Sequence, residues 1–452
     1  MYELINAVVR FLKKIVPEPV VALFRKPYHA ALALLMAASY GFPAWRLTVI
    51  GITGTKGKST VAEMLFAILR AAGHKTALLS TIRFAIEDES EPNKYKMTLQ
   101  GRGFAQAFMK KALDKGCTHV VIELTSESVL QYRHWFLSLD GLIVTNLQRE
   151  HIERHGSFEK YGEAKRTIAK TLARSNKSSR ILIANEDQPE TRGFLALRGP
   201  TRAVGFSARE LEGLESDDRG TRFSYAGTSF FLPLPGGFNA LNALAAIKMA
   251  DALGVPLATS AEALALLAPV KGRVERIDAG QNFLAIVDYA HTPDSLSALY
   301  GAFPNQRKIC VLGNTGGGRD TWKRPEMGRI ADEACEQVIL TNEDPYDEDP
   351  RAIVEAMAKG MAHAPEIIMD RREAIRAALR LALSLSKGAQ PLDSARGAGN
   401  QNVAVLISGK GTDPYIMGPK GAKTPWSDSA VVREELEYLE QEHQAVSRSS
   451  GH

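Results

Sequence analysis

The stretch that most constrains this chain is Thr48 to Thr60, TVIGITGTKGKST. Leu47 to Ile52 is a short run rich in β-branched residues, the pattern of a strand buried in a parallel sheet. Gly51, Gly54 and Gly57 punctuate the stretch, with Thr53 and Thr55 among them. Lys58-Ser59-Thr60 then opens VAEMLFAILRAAG, whose apolar residues recur at helical spacing and stop at Gly73. Strand, glycine loop, Lys-Ser and helix make a phosphate cradle. Backbone N–H groups and the helix start face the phosphates, the lysine neutralises them, and the serine hydroxyl can ligate Mg²⁺. The strict P-loop spacing fails at one place, because Ile52 stands where its first glycine would be. A purely structural loop is the competing reading of this motif alone.

At 452 residues the chain has room for about two or three domains. Its net charge of +5 comes from scattered basic residues, so it does not separate anionic small substrates from nucleic acid. Cys117, Cys310 and Cys335 lie far apart, which suggests a reducing compartment and excludes a zinc cluster. Residues 1–26 carry Arg10, Lys13, Lys14, Arg25 and Lys26 among apolar positions, and residues 27–45 have no formal charge. The first 45 residues are expected to form a helical segment that packs on the next domain or lies on a membrane surface. Neither a cleavable signal pattern nor a second apolar segment is present.

From Leu47 to about Ala268 strand and helix patterns alternate, as in a doubly wound α/β domain. HVVIEL (119–124), GLIVTNL (141–147) and ILIAN (181–185) read as core strands, and the first two deliver polar residues at their C-terminal edge, where open α/β sheets bind ligands. Residues 206–232 read as a β-rich excursion closed by PLPGG. A second alternating unit starts near Pro269: FLAIVDYAH, KICVLGNTGGGRD, QVILTNEDPYDEDP and AVLISGKGTDPY each run from strand into polar loop. The expected organisation is 1–45 helical segment, 46–269 ATP-binding domain, 270–435 C-terminal domain and 436–452 tail. The region 385–402 and the final SRSSGH are expected to be flexible.

Glu123 and His151 end two strands beside the glycine loop, and a carboxylate and an imidazole there could both hold Mg²⁺. With these residues a resemblance emerges. GTKGKST resembles the GTNGKTT or GTNGKST loop of the Mur ligase family, with Lys56 in the asparagine's place. IELTSESVLQYR resembles its EVSSHxLxxxR segment, NLQREHIERHGS its NLxxDHLDYHG segment with Glu150 for aspartate, and YGEAK its YxxAK. GGFNALNALAA, GRVERID, VDYAHTPDSL, GGGRDTWKRPEMG and SGKGTDPY resemble further family segments in the same order, so the likeness covers roughly residues 46–416. It is strongest to the tripeptide-synthetase (MurE) branch.

The resemblance implies a P-loop-type central domain, a Rossmann-like C-terminal ligase domain, and ATP with Mg²⁺. It implies an ATP-dependent ligase that adds the third amino acid to a UDP-N-acetylmuramoyl-dipeptide through an acyl phosphate, in peptidoglycan synthesis. An amine does not displace oxide from a carboxylate at useful rates; phosphorylation supplies the leaving group, and two anions must then meet in a positively charged site. By the resemblance, Gly54, Thr55, Gly57, Lys58, Ser59 and Thr60 hold the phosphates. Ser59, Glu123, His151 and a carbamylated Lys165 hold metal. Thr98, Ser126, Gln131 and Arg133 contact the muramoyl-dipeptide. Asn239, Asn242, Arg273, Asp288 and His291 face the nucleotide, and domain closure over ATP belongs to the mechanism. Lys323, Arg324, Asp344, Tyr346, Gly409 and Asp413 lie near the incoming amino acid.

Three departures matter. Family members of this branch typically begin with an α/β domain that grips the UDP, and the residues before Leu47 do not look like one. The amino-acid-selecting DNPR reads Glu343-Asp344-Pro345-Tyr346, and GKGHE reads Gly409-Lys410-Gly411-Thr412-Asp413. The acidic surroundings of Tyr346, without the arginine, predict a preference for L-lysine or L-ornithine over diaminopimelate. Three alternatives stand beside the main reading: a folylpolyglutamate-synthase-like ligase, a lipid-linked muropeptide ligase, and a non-catalytic scaffold. The expected partners are the muropeptide and the amino acid, not nucleic acid. The chain is expected to be a cytoplasmic monomer, with peripheral membrane contact through residues 1–45.

Overall fold

The structure is a computed structural model that describes residues 18–95, 97–101, 103–150, 152–386 and 402–449, without side chains for 18–26, 152, 154 and 443–449. The described residues divide into two compact units. One takes the chain up to Glu212 with Ser224–Phe230 and Leu241–Leu267; the other takes Gly213–Phe223, Phe231–Ala240 and the chain from Ala268.

The first unit contains β1 (Thr48–Thr53), β2 (Thr76–Leu79), β3 (Arg83–Ile86), β4 (Glu89–Pro92), β5 (His119–Glu123), β6 (Gly141–Val144), β7 (Ile181–Asn185) and β8 (Arg202–Phe206), in the sheet order β4-β3-β2-β5-β1-β6-β7-β8. The apolar, β-branched strands are the central parallel ones, and β3 and β4 add an antiparallel edge. Register sets the site: Ile52 lies opposite Glu123 and Thr53 opposite Val144, so the C-terminal ends of β5, β1 and β6 come side by side. The helices that matter here are α1 (Glu18–Ser39), α2 (Lys58–Ala71), α3 (Phe104–Asp114), α4 (Phe158–Ala173) and, across the small sheet that precedes it, α5 (Gly237–Ala252). That sheet is β9 (Glu212–Asp217), β10 (Gly220–Tyr225) and β11 (Thr228–Leu232), where the sequence predicts a β-rich excursion.

The second unit is built on β12 (Glu275–Ile277), β13 (Leu284–Asp288), β14 (Arg307–Leu312), β15 (Gln337–Leu340), β16 (Glu366–Ile367) and β17 (Val403–Ser408), ordered β12-β13-β17-β14-β15-β16. All neighbours are parallel except β12 on β13. Its helices include α6 (Lys323–Ala334), α7 (Arg371–Ser386) and α8 (Asp428–Ser449), and a ribbon of β18 (Tyr415–Met417) and β19 (Lys423–Pro425) comes after β17. Ile375 and Leu379 of α7 pack with Val432 and Leu436 of α8 on Val405 and Ile407 of the sheet. The two helix starts are joined by a buried ion pair, Arg371 Nη2 to Asp428 Oδ2 at 2.7 Å.

Two expectations are corrected here. α8 continues through Ser449, so the tail expected to be disordered is helical over 447–449. Cys310 and Cys335 are joined in a disulfide. Wide spacing along the chain hid this, because β14 and the end of α6 meet through the β-α-β crossover. The loop expected at 385–402 begins as the end of α7, and residues 387–401 lie outside the described residues.

Candidate active site

The phosphate loop leaves β1 at Gly54, at φ +148°; a Cβ there would sit 1.9 Å from Thr145 Oγ1. Gly57 caps α2 at φ +80°, and its Cβ would fall 2.4 Å from Asn242 Oδ1. Both positions need glycine for conformation and for space. Asn242, on α5, therefore reaches the loop. Ser59 and Thr60 are buried in the first turn of α2. The loop is held from β6: Asn146 Oδ1 accepts from Thr55 N (3.0 Å) and Lys56 N (2.8 Å), and Asn146 Nδ2 donates to Lys56 O. Thr55 Oγ1 shares a hydrogen bond with Tyr161 of α4 at 3.0 Å.

Two lysines converge on one oxygen. Lys58 Nζ donates to Gly54 O at 3.0 Å and to Thr55 O at 2.7 Å. Lys165 Nζ, from α4, donates to the same Gly54 O at 2.8 Å and lies 3.5 Å from Thr53 Oγ1. Lys165 is wholly buried. Burial first, and the neighbouring Lys58 charge second, hold its amine well below the ordinary lysine range, against the pull of Glu150. Glu150 pairs with Lys56 at 3.0 Å. The two substitutions noted in the motifs thus meet as one ion pair.

Glu123 ends β5 fully buried. Its Oε1 accepts from Thr81 N and its Oε2 from Thr81 Oγ1, both at 2.9 Å. Thr81 Oγ1 also shares a 2.6 Å hydrogen bond with Thr98 Oγ1, which ties the expected metal carboxylate to an expected acceptor contact. Ser126 Oγ bonds His155 Nε2 at 3.1 Å, and Arg133 binds Leu99 O and Gln131 Oε1. His151 lies outside the described residues. The donor chemistry fits Mg²⁺: hydroxyl and carboxylate oxygens are hard ligands, and Thr81 takes one lone pair on each Glu123 oxygen and leaves others.

In the second unit, Arg273, Asp288 and His291 gather around Tyr289. Arg273 stacks on its ring at 4.6 Å, and His291 Nδ1 bonds its carbonyl at 2.7 Å. Asp288 accepts from Val274 N and Ala290 N, each at 2.7 Å. Asn239 is buried and donates to Pro235 O. The amino-acid residues sit at the ends of β14, β15 and β17. Lys323 and Arg324 are buried at the start of α6, and Arg324 holds Glu348 with two bonds of 2.6 and 2.9 Å. Asp344 Oδ1 accepts from Lys410 Nζ and Met417 N, both at 2.8 Å, and Lys410 lies 3.5 Å from Asp413. Tyr346 has φ +53° and carries Arg319 over its ring at 4.8 Å. Gly409 makes room for Glu343, whose carboxyl burial and then Asp344 push up.

Known proteins share this order of domains. Residues 52–250 match the Mur ligase middle domain and residues 272–389 the Mur ligase glutamate ligase domain. The chain is 34% identical over 449 residues to the UDP-N-acetylmuramyl-tripeptide synthetase of Roseiflexus sp. (strain RS-1), covering 93% of this chain and 84% of that protein. The chain belongs to the Mur ligase family. As a Mur ligase it is an ATP-dependent acid–amino-acid ligase. It is also 33% identical to the UDP-N-acetylmuramoyl-L-alanyl-D-glutamate--2,6-diaminopimelate ligase of Chlorobaculum tepidum, over 88% of this chain and 78% of that one. Among solved structures, a ligase of that same name superimposes with a TM-score of 0.58 at 25% identity, over 87% of this chain and 79% of that one. A Mycobacterium tuberculosis folylpolyglutamate synthase complexed with ADP shares the fold, with a TM-score of 0.68 at 18% identity, over 85% and 92%.

Sequence reasoning for this Mur ligase missed the supports rather than the actors. Thr81, which holds Glu123, is a lone threonine after β2 with no motif around it. His155 and Tyr161 stand inside the matched segments, but spacing did not show that they face Ser126 and Thr55. Lys410 was visible only as part of a loop, and its full burial between Asp344 and Asp413 depends on the β18 ribbon.

Proposed function

We propose that this Mur ligase adds the third amino acid to a UDP-N-acetylmuramoyl-dipeptide in peptidoglycan synthesis. The single observation that carries the reading is the convergence of Lys58 and Lys165 on Gly54 O beside Glu123. The Lys58 charge suits a step in which a carboxylate and a triphosphate meet, and the buried Lys165 amine beside it is placed for carbamylation. In this reading Lys58 binds the outer phosphates and stabilises charge on the phosphoryl group in flight. Gly54 and Gly57 let the backbone approach the phosphates. Arg133 pairs with an acceptor carboxylate, while Thr98 and Ser126 orient the acceptor. Mg²⁺ would be held by Ser59 and Glu123, with His151 and carbamylated Lys165 at a second position, and would supply charge neutralisation. Burial, and then the Lys58 charge, lower the Lys165 amine pKa, which favours the neutral form that adds CO₂. The acceptor carboxylate takes the γ-phosphoryl group of ATP and ADP leaves; the incoming amine then attacks the acyl carbon, phosphate departs, and the nitrogen loses a proton to give the amide. Residues 46–269 and 270–435 are the two catalytic domains of this proposal. The enzyme works as a cytoplasmic monomer, and residues 1–45 touch the membrane surface.

The pairings in the second unit support a reading of the third amino acid. Two of the five acidic residues around Tyr346 carry a basic partner: Asp344 pairs with Lys410 and Glu348 with Arg324. Arg319, stacked on Tyr346, then supplies a planar cation where the DNPR arginine is missing. This reverses the preference expected from sequence and favours meso-diaminopimelate over L-lysine or L-ornithine. Product mass and kcat/KM with UDP-N-acetylmuramoyl-dipeptide, ATP and each amino acid test both levels. No product with any amino acid overturns the reaction. A tenfold preference for lysine overturns the Arg319 argument alone.

A further inference from the structure

The outer side of α1 is apolar and uncovered. Tyr28, Ala31, Leu34, Leu35 and Ala38 are exposed at helical spacing, with Leu35 at 62%, while Ala37 is fully buried on the other side and Met36 packs against Gly103 at the start of α3. A helix apolar all round needs a cover on every side. The stripe does not stop at the helix end. Exposed Trp45 stacks on Phe42 at 4.3 Å, Phe42 meets Phe136 edge-on at 5.9 Å, Phe136 meets Trp135, and Trp135 meets Tyr132 at 4.6 Å. Phe42, Tyr132 and Phe136 all hold positive φ, which bulky residues rarely adopt. The ladder ends at Gln131 and Arg133, flanked by exposed Leu130 and Trp135, and Arg133 Nη1 lies 3.9 Å from the Sδ of exposed Met97. Among the described residues, seven of the thirteen exposed large apolar side chains belong to this face or the loops joining it.

We infer that this face docks on an anionic lipid bilayer, with Leu34, Leu35, Trp45 and Trp135 seated at the headgroup boundary. Charge selects this occupant. Residues 1–46 contain six basic and two acidic residues, 27–45 contain none of either, and exposed Arg46 comes directly after Trp45. Basic residues beside exposed tryptophan and leucine are the composition of an interfacial helix. No helix among the described residues is long and apolar enough to cross a membrane, so α1 would lie on the surface. Docking would hold the Gln131–Arg133 loop at headgroup level. Only that consequence rests on the proposed acceptor role of Arg133, because lipid binding is measured without ligase substrates.

The test uses the full chain and sedimentation with vesicles rich in phosphatidylglycerol or made of pure phosphatidylcholine. Binding to the first, weaker at high salt and weak to the second, is expected. Leu34→Ser/Leu35→Ser should lower it by about tenfold or more while leaving thermal unfolding and ligation of a soluble acceptor unchanged. Brominated lipid should quench the wild-type protein's tryptophan fluorescence, and most of that quenching should vanish in Trp45→Phe/Trp135→Phe. Wild-type protein that stays unbound and unquenched overturns the inference. So does a self-association that the Leu34→Ser/Leu35→Ser change abolishes without any lipid binding, since the face would then cover a second copy.

Discussion

Replacing Lys165 by methionine tests the centre of the site. The side chain is wholly buried, and its amine donates to Gly54 O at 2.8 Å. Methionine keeps most of the volume, so the change loses one hydrogen bond of about 0.5–1.5 kcal/mol and no large cavity opens. Against that loss stands the relief of an amine that burial and Lys58 depress. The sign follows from linkage. Below the ordinary lysine pKa the unfolded chain carries a proton that the folded chain has released, so folding opposes protonation and stability falls as pH falls. Lys165→Met should therefore gain on the CO₂-free wild type most in acid, and the gap should close as pH rises toward the ordinary lysine range. Activity should move the other way, falling by about 10²–10³ in kcat, the loss typical of one preorganised electrostatic group. Urea melts across pH, ligation rates, and ¹³C NMR after incubation with labelled bicarbonate measure the three quantities. A wild-type protein without a carbamate signal, together with a methionine variant within tenfold of normal activity, would refute the reasoning.

Two further outcomes are expected. Glu150→Gln and Lys56→Asn each break the 3.0 Å pair, and a double-mutant cycle in urea should show coupling of about 1–3 kcal/mol, with the double variant closer to wild type in KM for ATP than Glu150→Gln alone. Asp428→Ala leaves Arg371 buried and unpaired beside Ser408 O, and should cost about 3–5 kcal/mol by urea melting, with kcat unchanged at temperatures where the protein stays folded.

The strands of both sheets were legible because buried parallel strands are written as short apolar, β-branched runs. β1, β5, β6, β7, β13, β14, β15 and β17 all fall on such runs. The polar ends of β5 and β6 were legible for the same reason: the pattern breaks where the strand leaves the core. Glu123 and Asn146 stand at those breaks. The edge strand β4 was not, since ESEP has no apolar alternation and pairs only because β3 offers it an edge. The Cys310–Cys335 bridge was hidden by a crossover that spacing cannot reveal. Thr81 was hidden because its role is set by register, which puts the loop after β2 beside the end of β5.

The same division explains why the motifs identified Lys58, Lys165, Lys56 and Glu150 one by one but not what they do to each other. A motif records residue types along the chain. The energy of the site depends on two amines sharing Gly54 O and on one carboxylate, Glu150, that is paired with Lys56 and also acts on Lys165. Taken separately, a buried lysine and a helix-start lysine are each tolerable. Together on one carbonyl they are a local conflict, of the kind folding alone would remove and a binding site retains. Anions placed there, phosphate at Lys58 and a carbamate on Lys165, resolve the conflict. The arrangement is therefore best understood as half of an electrostatic structure whose other half arrives with the substrates.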